Sequence, residues 1–171
     1  MLTVMQMDAG VSAGIKLMVL HGVISTTKPH GAIVRRGSLV FGLVDGLTLV
    51  LGLILGNVIS HQAANAIWHS ALGGGVAELG GMSLGQYWSS KDRDWVAALL
   101  NGGGCCAATL LAGMPFAIGS GAIATIVALT IIGGQGAVIC LLREEGGMVA
   151  VLRTFGLLLL VGLLSGASGF L

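Results

Sequence analysis

Long apolar runs, broken by very few charges, constrain this chain more than any other feature. From Ser38 to Ile59 the only acid or base is Asp45, and from Ala66 to Trp88 it is Glu78, histidine aside. Trp95–Met114 and Ser120–Leu142 carry no charged side chain, and Met148–Ser168 carries Arg153 alone. A bilayer-spanning helix needs about 20 mostly apolar residues, and each run is of that order. The runs are too long for barrel strands and do not alternate apolar with polar, so they read as helices. The sequence therefore predicts an all-α, polytopic membrane protein with five transmembrane helices.

Composition agrees. Hydrophobic residues make up 55% of the chain and charged residues 9%, against about 25% charged in soluble domains. There is too little polar surface to cover a water-soluble domain, so most of the exterior must face lipid. Thirty glycines lie within Leu, Ile, Val and Ala runs beside only two prolines. In lipid, small residues let helix backbones approach closely, which predicts tight helix packing. A net charge of +1 gives no case for nucleic acid as a partner. The three cysteines, Cys105, Cys106 and Cys140, are odd in number and sit in apolar stretches, so they read as small buried hydrophobes rather than a disulfide framework.

The connecting segments set the orientation. Arg35 and Arg36 precede the first run, Lys91 and Arg93 separate the second from the third, and Arg143 follows the fourth. The connections at 60–65 and 115–119 contain no Lys or Arg. With five spans, all basic clusters fall on one side, which predicts a cytosolic N-terminus. Residues 35–171 form the predicted transmembrane domain. Residues 1–34 form a separate segment whose apolar stretch, Ala9–Ser25, is interrupted by Lys16 and His21. An interfacial amphipathic helix is the preferred reading, with a sixth span or a leader as alternatives. No basic region precedes a compact apolar core there, so it does not read as a cleaved signal peptide.

Asp45 and Glu78 are the candidate functional groups. A carboxylate at membrane depth costs roughly 3 kcal/mol on insertion scales and survives by facing a protein interior or a polar path. No Lys or Arg lies in the first two runs to pair with either acid, so a proton or a transported cation is the natural partner. The structural alternative is a carboxyl kept neutral and hydrogen-bonded to a neighbouring helix. Glu78, Met82 and Gln86 follow at i, i+4 and i+8 on one helical face. Glycine pairs Gly42–Gly46 and Gly52–Gly56 suggest that the first helix packs closely on the second, each offering an acid to a shared seam. Carboxylate beside thioether is a mixed hard and soft donor set, suited to a borderline transition metal such as Fe(II) rather than Mg(II) or Ca(II). His61 and His69 lie near the uncharged connection, where ordinary interfacial hydrogen bonding outweighs a metal-passing role. Lys91–Asp94 reads as a solvated turn. No phosphate-binding loop and no nucleophile–base pair is present, so the chain does not read as an ATPase or a hydrolase, and secondary transport remains.

Two runs resemble motifs of the vacuolar iron transporter (VIT) family. Phe41-Gly42-Leu43-Val44-Asp45-Gly46-Leu47 is similar to the G-x-x-D-G opening of that family's first helix. Gly81-Met82-Ser83-Leu84-Gly85-Gln86-Tyr87-Trp88-Ser89 is similar to its S-M-x-x-G-E-Y-x-S second-helix signature. The resemblance covers roughly residues 35–171. It implies a homodimer of five-helix protomers that exports Fe(II), and often Mn(II), from the cytosol in exchange for protons. It also implies a path between protomers lined by the first two helices, with Asp45 and Met82 as ion ligands; a working hypothesis adds entry from the cytosol near Tyr87 and Gln86. Gln86 stands where the motif usually has Glu, and Gly81 where it has Ser. The connection from Trp88 to Trp95 leaves no room for the cytosolic metal-binding domain that many members carry there.

The expected function is therefore secondary transport of Fe(II) or Mn(II) with protons as coupling ion and no resident cofactor. Asp45, Glu78 and Met82 would form the path, with Gln86, Tyr87 and His69 as secondary candidates. The host would be an inner membrane in a prokaryote or a vacuolar membrane in a eukaryote. A non-transporting membrane scaffold of similar fold and an uncoupled cation channel are the competing expectations.

Overall fold

The computed structural model describes residues 29–119, 121–143 and, near the C-terminus, 152–153, 155–158, 160–161 and 164. Every regular element among them is helical. Four long helices are complete enough to name, with one short turn between them: α1 Pro29–Ile59, α2 Ala64–Ser89, α3 Trp95–Gly113, α4 Pro115–Ile118 and α5 Gly121–Leu142. The N-terminal amphipathic-helix reading lies mostly outside the described residues, and so does much of the fifth predicted span. Those C-terminal residues that are described are largely helical, and Leu158 among them is buried against the bundle.

Three of the segments are long and apolar enough to cross a bilayer: Gly31–Ile59, Trp95–Ile118 and Gly121–Leu142. The helix α2 has the length but not the apolarity, because Glu78, Gln86, His69 and several serines and glycines dilute it. The chain is already helical at Pro29, ahead of the expected start at Ser38, so Arg35 and Arg36 belong to α1 itself. At about 1.5 Å per residue, its 31 residues span roughly 46 Å, well beyond a hydrocarbon core of about 30 Å.

Turn chemistry closes the α1–α2 connection. The Gln62 N–H reaches the Asn57 carbonyl at 2.9 Å and the His61 N–H reaches Val58 at 3.1 Å. His61 takes φ 56, so the end of α1 is a Schellman cap with a left-handed histidine. His61 is therefore placed by its backbone. At the other end of the bundle Arg93, φ 46, turns the chain from α2 into α3. Pro115 breaks the helical hydrogen-bond ladder after Gly113 and starts α4, its missing N–H falling at the first helical position.

The expected direct packing of α1 on α2 is corrected by α3, which packs along both, while α1 and α2 touch each other far less. The reason is the buried face of α3, made of Ala97, Ala98, Asn101, Gly102, Gly104, Cys105, Ala108, Thr109, Ala112 and Gly113. With side chains this small, two helices can approach its backbone at once. A Cβ on Gly42 would overlap the Asn101 carbonyl, and one on Gly46 would overlap that of Cys105. Gly102 lies as closely against Leu79 and Ser83 of α2. The Gly42–Gly46 pair thus serves α3, whereas Gly56 meets nothing within 4 Å.

The pairings also give directions. Residues 42 and 46 meet 101 and 105, so α1 and α3 run parallel. Residues 79 and 71 meet 102 and 113, so α2 runs antiparallel to α3. Arg36 near the start of α1 donates to the Leu142 carbonyl at the end of α5. One end of the bundle therefore gathers Arg35, Arg36, Lys91, Arg93 and Arg143. The apolar core joins Leu47, Val50, Leu51 and Ile54 of α1 with Ile67 of α2, Ala108 and Ala112 of α3, Phe116 of α4, and Ala124, Ala128, Ile132 and Ile139 of α5.

Candidate functional site

Three helices bring three ligand-bearing side chains to one point. Asp45 of α1, Glu78 of α2 and Cys105 of α3 each offer an oxygen or sulfur atom, and these atoms lie within 4.8 Å of one another. The two acids are half-buried and Cys105 is fully buried, with 0% of its surface exposed. The position of each follows from backbone packing. Asp45 directly precedes Gly46, whose missing side chain lets the α1 backbone rest on the Cys105 carbonyl. Glu78 directly precedes Leu79, whose carbonyl rests on Gly102 of α3. Glycines on two helices thus draw the acids toward the thiol.

Within the cluster, the Cys105 thiol donates to Glu78 Oε2. Asp45 presents its carboxylate beside this pair, and its backbone carbonyl accepts from Thr48 Oγ1 at 2.8 Å. Among the described residues neither acid is ion-paired with a Lys or Arg, whereas Arg35 pairs with Asp94 at the basic end. Two carboxylates and a thiol with no basic partner among the described residues form a donor set that could hold a cation or protons.

A polar seam leads from this cluster toward the basic end of the bundle. Asn101 lies one turn from Cys105 on α3, and its Nδ2 donates to Gln86 Oε1 at 3.3 Å. Gln86 Nε2 donates to Ser38 Oγ at 3.3 Å, so one side chain from each of the three helices is tied together. Ser83 on α2 lies beside Gly102. Among the described residues, Ser83 Oγ and Asn101 Oδ1 have no hydrogen-bond partner although the two residues are only 6% and 2% exposed. Buried polar atoms without partners are few in folded proteins, and of the three among the described residues two flank this cluster, the third being Gln135 Oε1 of α5. Beyond the cluster, Thr109 Oγ1 donates to the Gly46 carbonyl at 3.3 Å.

Of the residues singled out in the sequence, Asp45 and Glu78 are brought together. Met82 follows Glu78 by one turn and is half-buried. Gln86 is a tie between helices. Tyr87 stacks on Trp95, with ring centroids 3.8 Å apart, across the α2–α3 connection. His69 is exposed and its Nδ1 lies 2.7 Å from the Asn65 carbonyl of its own helix, remote from the cluster.

Two readings need correction. Cys105 is buried as expected, but it is a polar partner of Glu78 rather than an inert core group. Periodicity could not find it, because only the α1–α3 contact at Gly46 decides which face of α3 meets the acids. Asp94 is not a solvated turn residue. Its Oδ1 accepts from the N–H groups of Val96 and Ala97 at 2.9 and 3.2 Å, capping α3, and its Oδ2 accepts from Arg35 Nε at 2.9 Å. Chiefly through that Arg35 hydrogen bond, and against some desolvation, the Asp94 carboxyl is held below the usual carboxylate range.

Compared with known proteins, the chain matches no family model, no curated sequence and no solved structure.

Proposed function

We propose that this chain is a multi-pass membrane transporter that moves a divalent transition-metal ion, of the Fe(II) or Mn(II) kind, out of the cytosol in exchange for protons. The observation that carries this reading is the convergence of Asp45 and Glu78 from separate helices onto one point inside an apolar bundle. Two carboxylates with no basic partner among the described residues suit a dehydrated divalent cation, or the protons that replace it. The seam through Asn101, Ser83 and Gln86 supplies oxygen atoms along the approach from the basic end. On this reading that end is cytosolic, α2 and a C-terminal helix complete five spans, and Met82 adds a thioether one turn from Glu78. The likeness of residues 41–47 and 81–89 to VIT motifs supports the same assignment. The reading rests on those residues and on the cluster, since no wider match to known proteins accompanies them.

A homodimer is part of the proposal. Gly73, Gly80, Gly81 and Gly85 of α2 face open space, beside exposed Val76, Leu84 and Trp88. A second copy packed there would cover the least apolar of the long helices.

The test is metal uptake into proteoliposomes carrying a metal-sensitive dye, with and without an inward-acid pH gradient. Influx that grows with the gradient and is abolished by Asp45→Asn is the expected result. Influx that persists undiminished in Asp45→Asn rejects the mechanism. A second reading, a non-transporting scaffold, is favoured by the Cys105–Glu78 hydrogen bond, which satisfies one acid internally. It requires no flux under any gradient.

A further inference from the structure

We infer that Cys105 is a third metal ligand and the selectivity-determining residue of the Asp45–Glu78 site, making it a site for thiophilic divalent ions such as Fe(II), Co(II) and Zn(II). This rests on the transport reading above and specifies the class of ion that the site prefers. The ligand-atom spacing is the first ground. A sulfur and two carboxylate oxygens, all within 4.8 Å of each other, lie close enough to share one ion after small side-chain adjustments. Metal–sulfur and metal–oxygen bonds of about 2.3 and 2.0–2.2 Å in zinc sites set that requirement.

The second ground is rigidity. Cys105 sits where α1 and α3 are in backbone contact through Gly46, and where Thr109 also donates to the Gly46 carbonyl. Those contacts fix the Cys105 backbone beside Asp45, and its fully buried thiol is held on Glu78 by its hydrogen bond. The third is the pair of buried, unpartnered oxygens at Asn101 and Ser83 on the same seam, which can serve an ion shedding its water on the way in.

Ligand chemistry then sets the preference. Hard ions such as Mg(II) and Ca(II) take all-oxygen shells and gain little from sulfur. Mn(II) stands lowest in the divalent affinity order, and thiolate widens the gap toward Fe(II), Co(II) and Zn(II). Coordination replaces the Cys105 S–H bond by a metal–sulfur bond, the electron pair staying on sulfur and the proton leaving to bulk water.

The test uses the purified full-length chain in detergent, with Co(II) as the thiophilic probe and Mn(II) as the hard one. Wild type should show a near-ultraviolet thiolate-to-cobalt charge-transfer band. The double variant C106S/C140S, which leaves Cys105 as the sole cysteine, should keep the band in full. In Cys105→Ser the band should vanish. The Co(II)-over-Mn(II) affinity ratio should also fall by at least the roughly 10–100-fold typical of losing even an outer-shell partner. A band that is absent from the wild type while Co(II) binds, or lost in C106S/C140S, overturns the inference and leaves the transport reading standing. Failure of wild type to bind either ion overturns both. Because the first two outcomes concern proteins that retain Cys105, the inference stays open to refutation even if Cys105→Ser does not fold.

Discussion

Arg35 and Asp94 are joined by a 2.9 Å ion pair that ties the start of α1 to the start of α3. The same carboxylate caps α3 through its other oxygen, so one side chain fixes a helix end and the contact between two helices. The Arg35 hydrogen bond lowers the Asp94 pKa in the folded protein, with the capping N–H groups adding to it. A depressed folded pKa means the stabilisation is fully present above the unfolded value, about 3.9. It is lost as pH falls through the lower folded value. Thermal melts in detergent should therefore fall more steeply below about pH 4 in wild type than in Asp94→Asn, which cannot ionise but still caps. Asp94→Ala should cost about 1–2 kcal/mol at neutral pH from the lost cap. Equal acid sensitivity of wild type and Asp94→Asn would show that the pair contributes nothing.

The site depends on close approach of backbones as much as on its side chains. Gly46→Ala would drive a methyl group into the Cys105 carbonyl, and α1 would have to move off α3. Overpacking of this kind costs about 1–3 kcal/mol, and the movement also separates Asp45 from Cys105. Gly56→Ala meets open space and should be close to neutral. The pair is checked by melting temperature together with Co(II) affinity: Gly46→Ala should lower both, and Gly56→Ala neither.

Some of this arrangement can be read from residue order and some cannot. The long apolar runs predict helices, and α1, α3 and α5 have both the length and the apolarity to span. The two acids are conspicuous because nothing basic accompanies them in their runs, and they do converge. The alignment of basic residues at one end is also legible from their spacing. What sequence could not supply is the choice of partner for each glycine. The Gly42–Gly46 pair could have faced α2 with equal plausibility, and only the uniformly small face of α3 decides otherwise. That choice determines that Cys105, and neither Cys106 nor Cys140, reaches Glu78. Asp94 is hidden for a related reason: a charged turn is ordinarily solvated, and its cap and its distant arginine follow only from α1 extending past the apolar core.

If Asp45 and Glu78 serve transport as proposed, their closeness should cost stability, and removing one of them should stabilise the fold. Asp45→Asn removes one of two neighbouring carboxylates, and Glu78 keeps its thiol donor. The variant should melt higher, by an amount within the roughly 0.5–2 kcal/mol common for single stabilising substitutions, and on the transport reading metal flux is abolished. Stability and flux measured on the same preparation separate the cases. A variant that melts lower and carries no metal would mark Asp45 as a structural group.

Among the described residues, Gln86 is the side chain bonded to both other helices of the seam. Its oxygen accepts from Asn101 and its nitrogen donates to Ser38. Gln86→Leu strands the Asn101 amide, which is 2% exposed and already has one unpartnered oxygen. Leaving a buried polar group without its partner costs about 1–3 kcal/mol. Gln86→Glu behaves differently. The carboxylate still accepts from Asn101, and Ser38, whose hydroxyl now donates to the Val34 carbonyl at 3.1 Å, can turn and donate to it instead. The expected order of melting temperature is wild type, then Gln86→Glu, then Gln86→Leu. On the proposed route the added charge stands on the approach to Asp45 and Glu78, so Gln86→Glu should also tighten divalent-ion binding. Weaker binding in Gln86→Glu than in wild type would place the ion's route elsewhere in the bundle.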